Sequence, residues 1–181
     1  MDFAIRPGRP DDFSELKAIE IDAFQTLLAS GGVFGEASSS TDEELRAYID
    51  GGVLLVAVDK TDRPIGYVGA VLTADELHVA EIDVARRWQR RGVGRALMQA
   101  VLVEARRLGL QSSTLTTDRL APFNAPFYAS LGFRLIEESA LPDRLRSILA
   151  KEYAAGFDRR RRVAMRIDLS PGDRSTGGDS R

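Results

Sequence analysis

Apolar residues recur along this chain in two rhythms. Some stretches alternate or run continuously apolar, as strands do; others place apolar residues three and four apart, as one face of a helix does. Phe3 to Arg6 is short and alternating and predicts a first strand. Asp11 or Asp12 can cap a helix that runs on through Phe13, Leu16, Ile19 and Phe24. Ser30 to Ser40 is rich in glycine and serine and reads as a loop. Thr41 and Glu44 have the form of a capping box, opening a second helix through Leu45 and Tyr48 that stops at Gly51-Gly52. Val53 to Asp59 and Ile65 to Thr73 predict two strands, and the short turn between them, Lys60 to Pro64, favours an antiparallel pair. Leu77 to Val84 is apolar and β-branched, as a buried strand is. Leu97, Val101, Ala105 and Leu108 then mark one face of a long helix, with Gly109 as its C-cap. Ser112 to Thr117 predicts a fifth strand, Pro122 a helix start, with that helix ending before Gly132. Phe133 to Ile136 predicts a sixth strand, Pro142 a helix to about Tyr153, and Arg162 to Leu169 a last strand. Strands first, then strands linked by helices, predict a mixed α/β sheet in one domain over residues 1–170. Pro171 to Arg181 has nearly no apolar residue and is expected to be a disordered tail.

One stretch carries candidate chemistry. Between the strand ending at Val84 and the helix through Leu97 lies Gln89-Arg90-Arg91-Gly92-Val93-Gly94-Arg95. Glycine lets the backbone turn sharply and lets a ligand come close. The first helical N–H groups have no partner within the helix, and the helix dipole there favours an anion. Arg90, Arg91 and Arg95 add positive charge, so the site suits a phosphate or pyrophosphate. A dinucleotide fingerprint would need a third glycine where Leu97 stands, and a P-loop would need Gly-Lys-Ser/Thr, which the chain lacks.

Composition narrows the classes. The 181 residues suit one domain with a sizeable core. A net charge of −2 makes no case for nucleic acid or an anionic membrane. The run Arg159 to Arg162 reads as a solvated turn, because no aromatic residues interleave with it. No apolar run approaches the ~20 residues of a membrane span, and the N-terminus lacks the layout of a signal peptide, so a cytoplasmic location is expected. The absence of cysteine excludes a thiolate nucleophile, and with one histidine it argues against a typical zinc site. A serine hydrolase is disfavoured because no Gly-x-Ser-x-Gly elbow is present.

Gln89, Gly92 and Gly94 fill the pattern Gln/Arg-x-x-Gly-x-Gly/Ala, and Tyr128 is followed by Leu131-Gly132-Phe133. Together, in this order, they resemble the two signatures of the GNAT superfamily of acyl-CoA N-acyltransferases, over roughly Ala4 to Leu169. The resemblance implies a central, mostly antiparallel sheet of about seven strands, flanked by helices, whose fourth and fifth strands splay to admit the pantetheine arm. It implies direct acetyl transfer from acetyl-CoA to a primary amine of a small molecule or peptide, with no metal. It also implies cofactor contacts along Gln89 to Arg95 and from Ile82, Asp83 and Val84, the backbone groups of Ile82 and Val84 pairing with the pantetheine amides. Tyr128 matches the family's general acid, whose phenol stays protonated at neutral pH. The family often has an asparagine seven residues before that tyrosine, where Ala121 stands here; Asn124, one turn before Tyr128, either substitutes for it or caps the helix.

His78 and Glu81 are base candidates, since family members carry a histidine or glutamate at a corresponding place on that strand, and Asp83 is a further one. On a regular strand Glu81 and Asp83 share one face while His78, Ala80 and Ile82 share the other. A β-bulge would break that parity. The acceptor is expected against Gln25 to Ser40 and near the last two strands, where Glu36, Asp42, Glu43 and Glu44 lean towards a cationic amine. Homodimer formation is left open. The competing readings are a catalytically idle acyl-CoA-binding sensor and a phosphate-binding module of another α/β class.

Overall fold

In a computed structural model of the chain, which describes residues 2–169 except 32, 34, 74 and 122, seven strands form one sheet. β1 (Phe3–Pro7), β2 (Gly52–Asp59), β3 (Pro64–Leu72) and β4 (Glu76–Val84) form an antiparallel run, each beside the one before. β4 pairs in parallel with β5 (Ser112–Asp118). β7 (Arg162–Asp168) lies antiparallel between β5 and the two-residue β6 (Arg134–Leu135). The mixed, mostly antiparallel sheet expected from the sequence is therefore present. The helices are α1 (Phe13–Ala29), α2 (Asp42–Gly51), α3 (Val93–Arg107), α4 (Ala125–Ala129) and α5 (Asp143–Ala154). None is long and apolar enough to cross a membrane among the described residues.

The sheet separates two layers. On one side α3 and α4 bury Leu97, Met98, Val101 and Tyr128 against Leu77, Val79, Leu115 and Met165. On the other, α1 and α2 bury Phe13, Leu16, Ile19 and Leu45 against Val56 and Tyr67. There α5 also seats Leu145 and Leu149 on Ala164.

β4 and β5 pair only from Glu76–Val79 to Ser112–Leu115, and beyond that both strands run on unpaired with each other. The cause lies on the other edge of β4. Ala70 of β3 faces Val79 but Gly69 faces Glu81, so Ala80 is an extra residue, a β-bulge. A bulge bends its strand and strengthens the local twist. β4 therefore swings away from β5, and a gap opens at their C-terminal ends.

Local signals held unevenly. The capping box forms, with Glu44 N–H donating to Thr41 Oγ1 (3.2 Å) and Thr41 N–H to Glu44 Oε2 (2.8 Å). Asp12 stands at the N-cap of α1 but caps nothing there. Its carboxylate accepts two Arg6 donors at 2.8 Å and the N–H of Arg9, stronger charge-assisted bonds that occupy both oxygens. Leu108, not Gly109, is the C-cap of α3, with Gly109 following in the left-handed region. The sixth strand is shorter than expected. The helix before Gly132 starts only at Ala125, and its expected start at Pro122, like the expected tail, lies outside the described residues.

Candidate active site

At the mouth of the gap the chain turns from β4 into α3. A single 3-10 turn, Arg86–Trp88, leads to Gln89, after which Arg90 (φ +62°) and Gly92 (φ +84°) both adopt left-handed conformations. Gly92 is the N-cap of α3, and the first bond of the helix runs from Ala96 N–H to the Gly92 carbonyl (3.0 Å). The N–H groups of Val93, Gly94 and Arg95 therefore have no carbonyl within the helix, and no side chain caps them. A Cβ at Gly92 would meet nothing within 4 Å, and one at Gly94 only Val84 (3.8 Å) and Phe127 (4.0 Å). The space above the first turn is open. Arg95 reaches Ser130 Oγ (2.8 Å) and covers the Phe127 ring, Arg91 covers Trp88, and Arg90 has no ion pair among the described residues.

Gln89 braces this loop. Its Nε2 donates to the Val84 carbonyl (3.0 Å), and its Oε1 accepts from Thr26 of α1 (3.2 Å). Ala85 N–H donates to Ile65 in β3, so strand alternation turns the N–H and C=O of Ile82 and Val84 the other way, into the gap. Of those groups the Val84 carbonyl is already taken by Gln89.

The bulge also decides which side chains meet. Because Gly69 faces Glu81 and Tyr67 faces Asp83, both carboxylates lie on the α1–α2 side of the sheet. His78 lies on that side too, opposite Thr114 of β5. The regular-strand expectation, which separated His78 from the two acids, is corrected by one inserted residue. Glu81 and Asp83 sit beside Glu20 of α1. Glu20 is buried and accepts from Tyr67 OH (2.6 Å) and from Ser40 N–H (2.7 Å). Burial, and then the charge of Glu20, push the Glu81 carboxyl up to about 7. Burial, then the charge and hydrogen bond of Glu81, push Asp83 well above the carboxylate range. Arg162 of β7 opposes the rise at Glu81. The sequence reading missed Glu20. Its signal was helical phase, since it follows Leu16 by four residues on the buried face of α1.

Tyr128 is 8% exposed, its ring edge-on to Phe127 and Phe133. Its hydroxyl has no hydrogen bond to the described residues. Burial raises its pKa, and the charges of Glu81 and Asp83 raise it further. Asn124 stands at the N-cap of α4 without a side-chain cap bond, so its amide serves no helix end. His78 is sealed away. It is 5% exposed, on the part of β4 still paired with β5, and its Nδ1 is 3.0 Å from Thr114 Oγ1. The Thr114 hydroxyl donates in turn to Glu76, which is ion-paired with Arg144 and Arg166. Burial drives the His78 pKa down to about 4, leaving the ring neutral.

Other charges resolve into structure. Asp42 pairs with Lys17, and Glu44 serves the capping box, so this part of the expected acidic surface is committed locally. In the arginine run, Arg160, Arg161 and Arg162 pair with Asp158, Asp118 and Glu152. Among the described residues no group of three or more His, Asp or Glu side chains is arranged to hold a metal ion.

A family model described as an acetyltransferase (GNAT) domain matches residues 20–148. Among solved structures, the PaiA N-acetyltransferase of Thermoplasma acidophilum, in complex with coenzyme A, matches with a TM-score of 0.71. It is 14% identical over 93% of this chain and 99% of that one. The ribosomal-protein-S18-alanine N-acetyltransferase of Escherichia coli matches at 0.65, with 16% identity over 97% of this chain and 99% of that one. A phosphinothricin acetyltransferase of Sinorhizobium meliloti, in complex with AcCoA, matches at 0.68, with 17% identity over 99% of this chain and 95% of that one. At these identities the structural likeness is one of fold.

Proposed function

The chain belongs to the GNAT family of acetyltransferases, and on that premise we propose that it moves an acetyl group from acetyl-CoA directly to a primary amine of a small molecule or peptide. One observation carries the reading: the β4–β5 gap opens between an uncapped helix N-terminus and a carboxylate pair. Donor and amine can thus meet in the gap from opposite sides of the sheet.

The residues fit the donor. The free N–H groups of Val93, Gly94 and Arg95, under open space, take the pyrophosphate oxygens, and Arg90 adds charge. The β4 edge at Ile82, with the Val84 N–H, takes the pantetheine amides. Gln89 works here as a brace rather than as a ligand contact. Asn124, with an amide not used as a cap at the start of α4, is a candidate partner for the same arm. When bound, acetyl-CoA supplies the thioester carbonyl that the amine attacks.

The chain's own residues handle the protons. An alkylamine has a pKa of about 10.4 and must lose a proton to become nucleophilic. Glu81, held near 7, is poised to accept it at neutral pH, directly or through a water, and Asp83 shares the proton. Tyr128, kept protonated by its surroundings, donates to the departing thiolate. His78 takes no part, because burial makes its ring a weak base and its Nδ1 is already engaged with Thr114.

Release of free CoA thiol, scored over simple amines, aminoglycosides, amino acids and peptide N-termini, tests the function. Acetyl-CoA at 100 times its dissociation constant should also stabilise the fold by ~2.7 kcal/mol, whereas ATP and NAD should not. Stabilisation without thiol release for any amine would leave an acyl-CoA-binding module in place of an enzyme.

A further inference from the structure

The turn that leads into α3 is held from outside itself. Within the turn, Trp88 N–H donates to the Ala85 carbonyl (2.7 Å) and Gln89 N–H to the Arg86 carbonyl (3.2 Å). These bonds close the turn but do not fix where it points. Two side chains of α1 do. Asp22 meets its start: Oδ2 accepts the Arg86 N–H (2.7 Å) and Oδ1 accepts Arg86 Nε (2.8 Å). Thr26 meets its end, donating from Oγ1 to Gln89 Oε1 (3.2 Å). Gln89 carries the hold on to the Val84 carbonyl (3.0 Å). Among the described residues no side chain bonds to the backbone of Arg90, Arg91 or Gly92, so the entry into α3 takes its position from the turn before it.

The spacings match. Asp22 and Thr26 are four residues apart, so they share a face of α1 and are separated by about 6 Å along it. Arg86 and Gln89 are three residues apart, and three residues of 3-10 helix also rise about 6 Å. One turn of α1 is therefore a template for one 3-10 turn. Burial works against ionising Asp22, yet the hydrogen bonds from Arg86 outweigh it and hold the carboxyl below its ordinary range. The pair adds little to global stability, because its side chains are 36% and 57% exposed and ion pairs so open to water are weak. Its effect is local. Two residues turn a helix by about 200°, so Glu20, which serves the carboxylate cluster, points away from Asp22.

We infer that Asp22 and Thr26 are positioning residues for the donor. They hold the turn so that the N–H groups of Val93, Gly94 and Arg95 stand ready for the pyrophosphate. The inference rests on the acetyl-CoA reading of the glycine loop. A loop already fixed loses no further freedom when its ligand arrives, and a loop released from its clamp does.

Calorimetric titration of the full chain with acetyl-CoA tests this without an acceptor. Asp22→Ala should melt close to the parent and raise Kd roughly tenfold, the entropy of fixing about one residue's backbone. Asp22→Asn keeps one acceptor oxygen for the Arg86 N–H and should lose less, as should Thr26→Val. S-acetylpantetheine, which has no phosphate, should bind the parent and the variants alike. Glu15→Ala removes another α1 ion pair, with Arg63, that does not reach the turn, and it should leave the acetyl-CoA affinity unchanged. Unchanged affinity in Asp22→Ala would overturn the clamp and leave the donor site standing. Equal weakening by Glu15→Ala, or of S-acetylpantetheine, would overturn it too, since α1 or the whole gap would then have loosened. No binding of acetyl-CoA by the parent would remove the donor site and the clamp together.

Discussion

Replacing Glu81 by glutamine should make the protein more stable and less active at once. The carboxyl is raised from 4.5 to about 7, which at 1.36 kcal/mol per pH unit is about 3 kcal/mol. The sign follows from proton binding. The folded chain holds this proton more tightly than the unfolded chain, so stability is full below pH ~4.5, falls between there and ~7, and is missing above. Glutamine carries no charge to desolvate, and its amide can donate to Asp83. At pH 8.5 the variant should exceed the parent by about 3 kcal/mol, roughly 6–12 °C in Tm for a domain of this size. At pH 5 most of that gap should close. Turnover should fall about 10²–10⁴-fold, as for loss of a general base, and the bend near pH 7 in the parent's kcat/KM profile should vanish. Calorimetry at the two pH values, with thiol-release rates across the range, measures both. Parallel pH–Tm curves for the two proteins would refute the burial argument. An undiminished rate would refute Glu81 as base, and Asp83 would be the next candidate.

Other expected outcomes are more local. Tyr128→Phe keeps the ring packing against Phe127 and Phe133 and deletes only the hydroxyl; turnover should drop about 10²–10⁴-fold with acetyl-CoA affinity unchanged, and equal rates would end the acid role. Gly92→Val forces a β-branched residue to φ +84° and should cost both stability and acetyl-CoA binding. Gly94→Val meets no neighbour closer than 3.8 Å, so it should fold well and lose binding alone, read by thermal shift with and without acetyl-CoA. His78→Asn should lose ~1 kcal/mol of stability from repacking and a changed bond to Thr114, yet keep its kcat pH profile; a lost limb in that profile would return His78 to the mechanism.

The parts of this protein that depend on neighbours in sequence were legible without coordinates. Thr41 and Glu44 cap a helix through contacts three residues apart. Gln89, Gly92 and Gly94 shape one loop from within it, and strand and helix periods are local patterns that reveal buried faces. The face proposed here for catalysis was not of this kind. Whether Glu81 and Asp83 sit with His78 turns on Ala80 bulging, and that depends on how β3 pairs with β4, a choice made between strands. The bulge reverses the strand's facing and bends β4 from β5, so one pairing decision sets both the carboxylate cluster and the gap. His78 has the intrinsic pKa of a base, but only the fold shows it buried against Thr114, thirty-six residues away, where its pKa is driven down. Asp118 and Arg161 are forty-three residues apart, and Ser30 is 131 from Arg161, so the tie they make between the end of β5 and the end of α1 has no trace in any window of sequence. Electrostatics and cleft geometry are sums over whatever the fold brings near, and only the assembled tertiary structure supplies the terms.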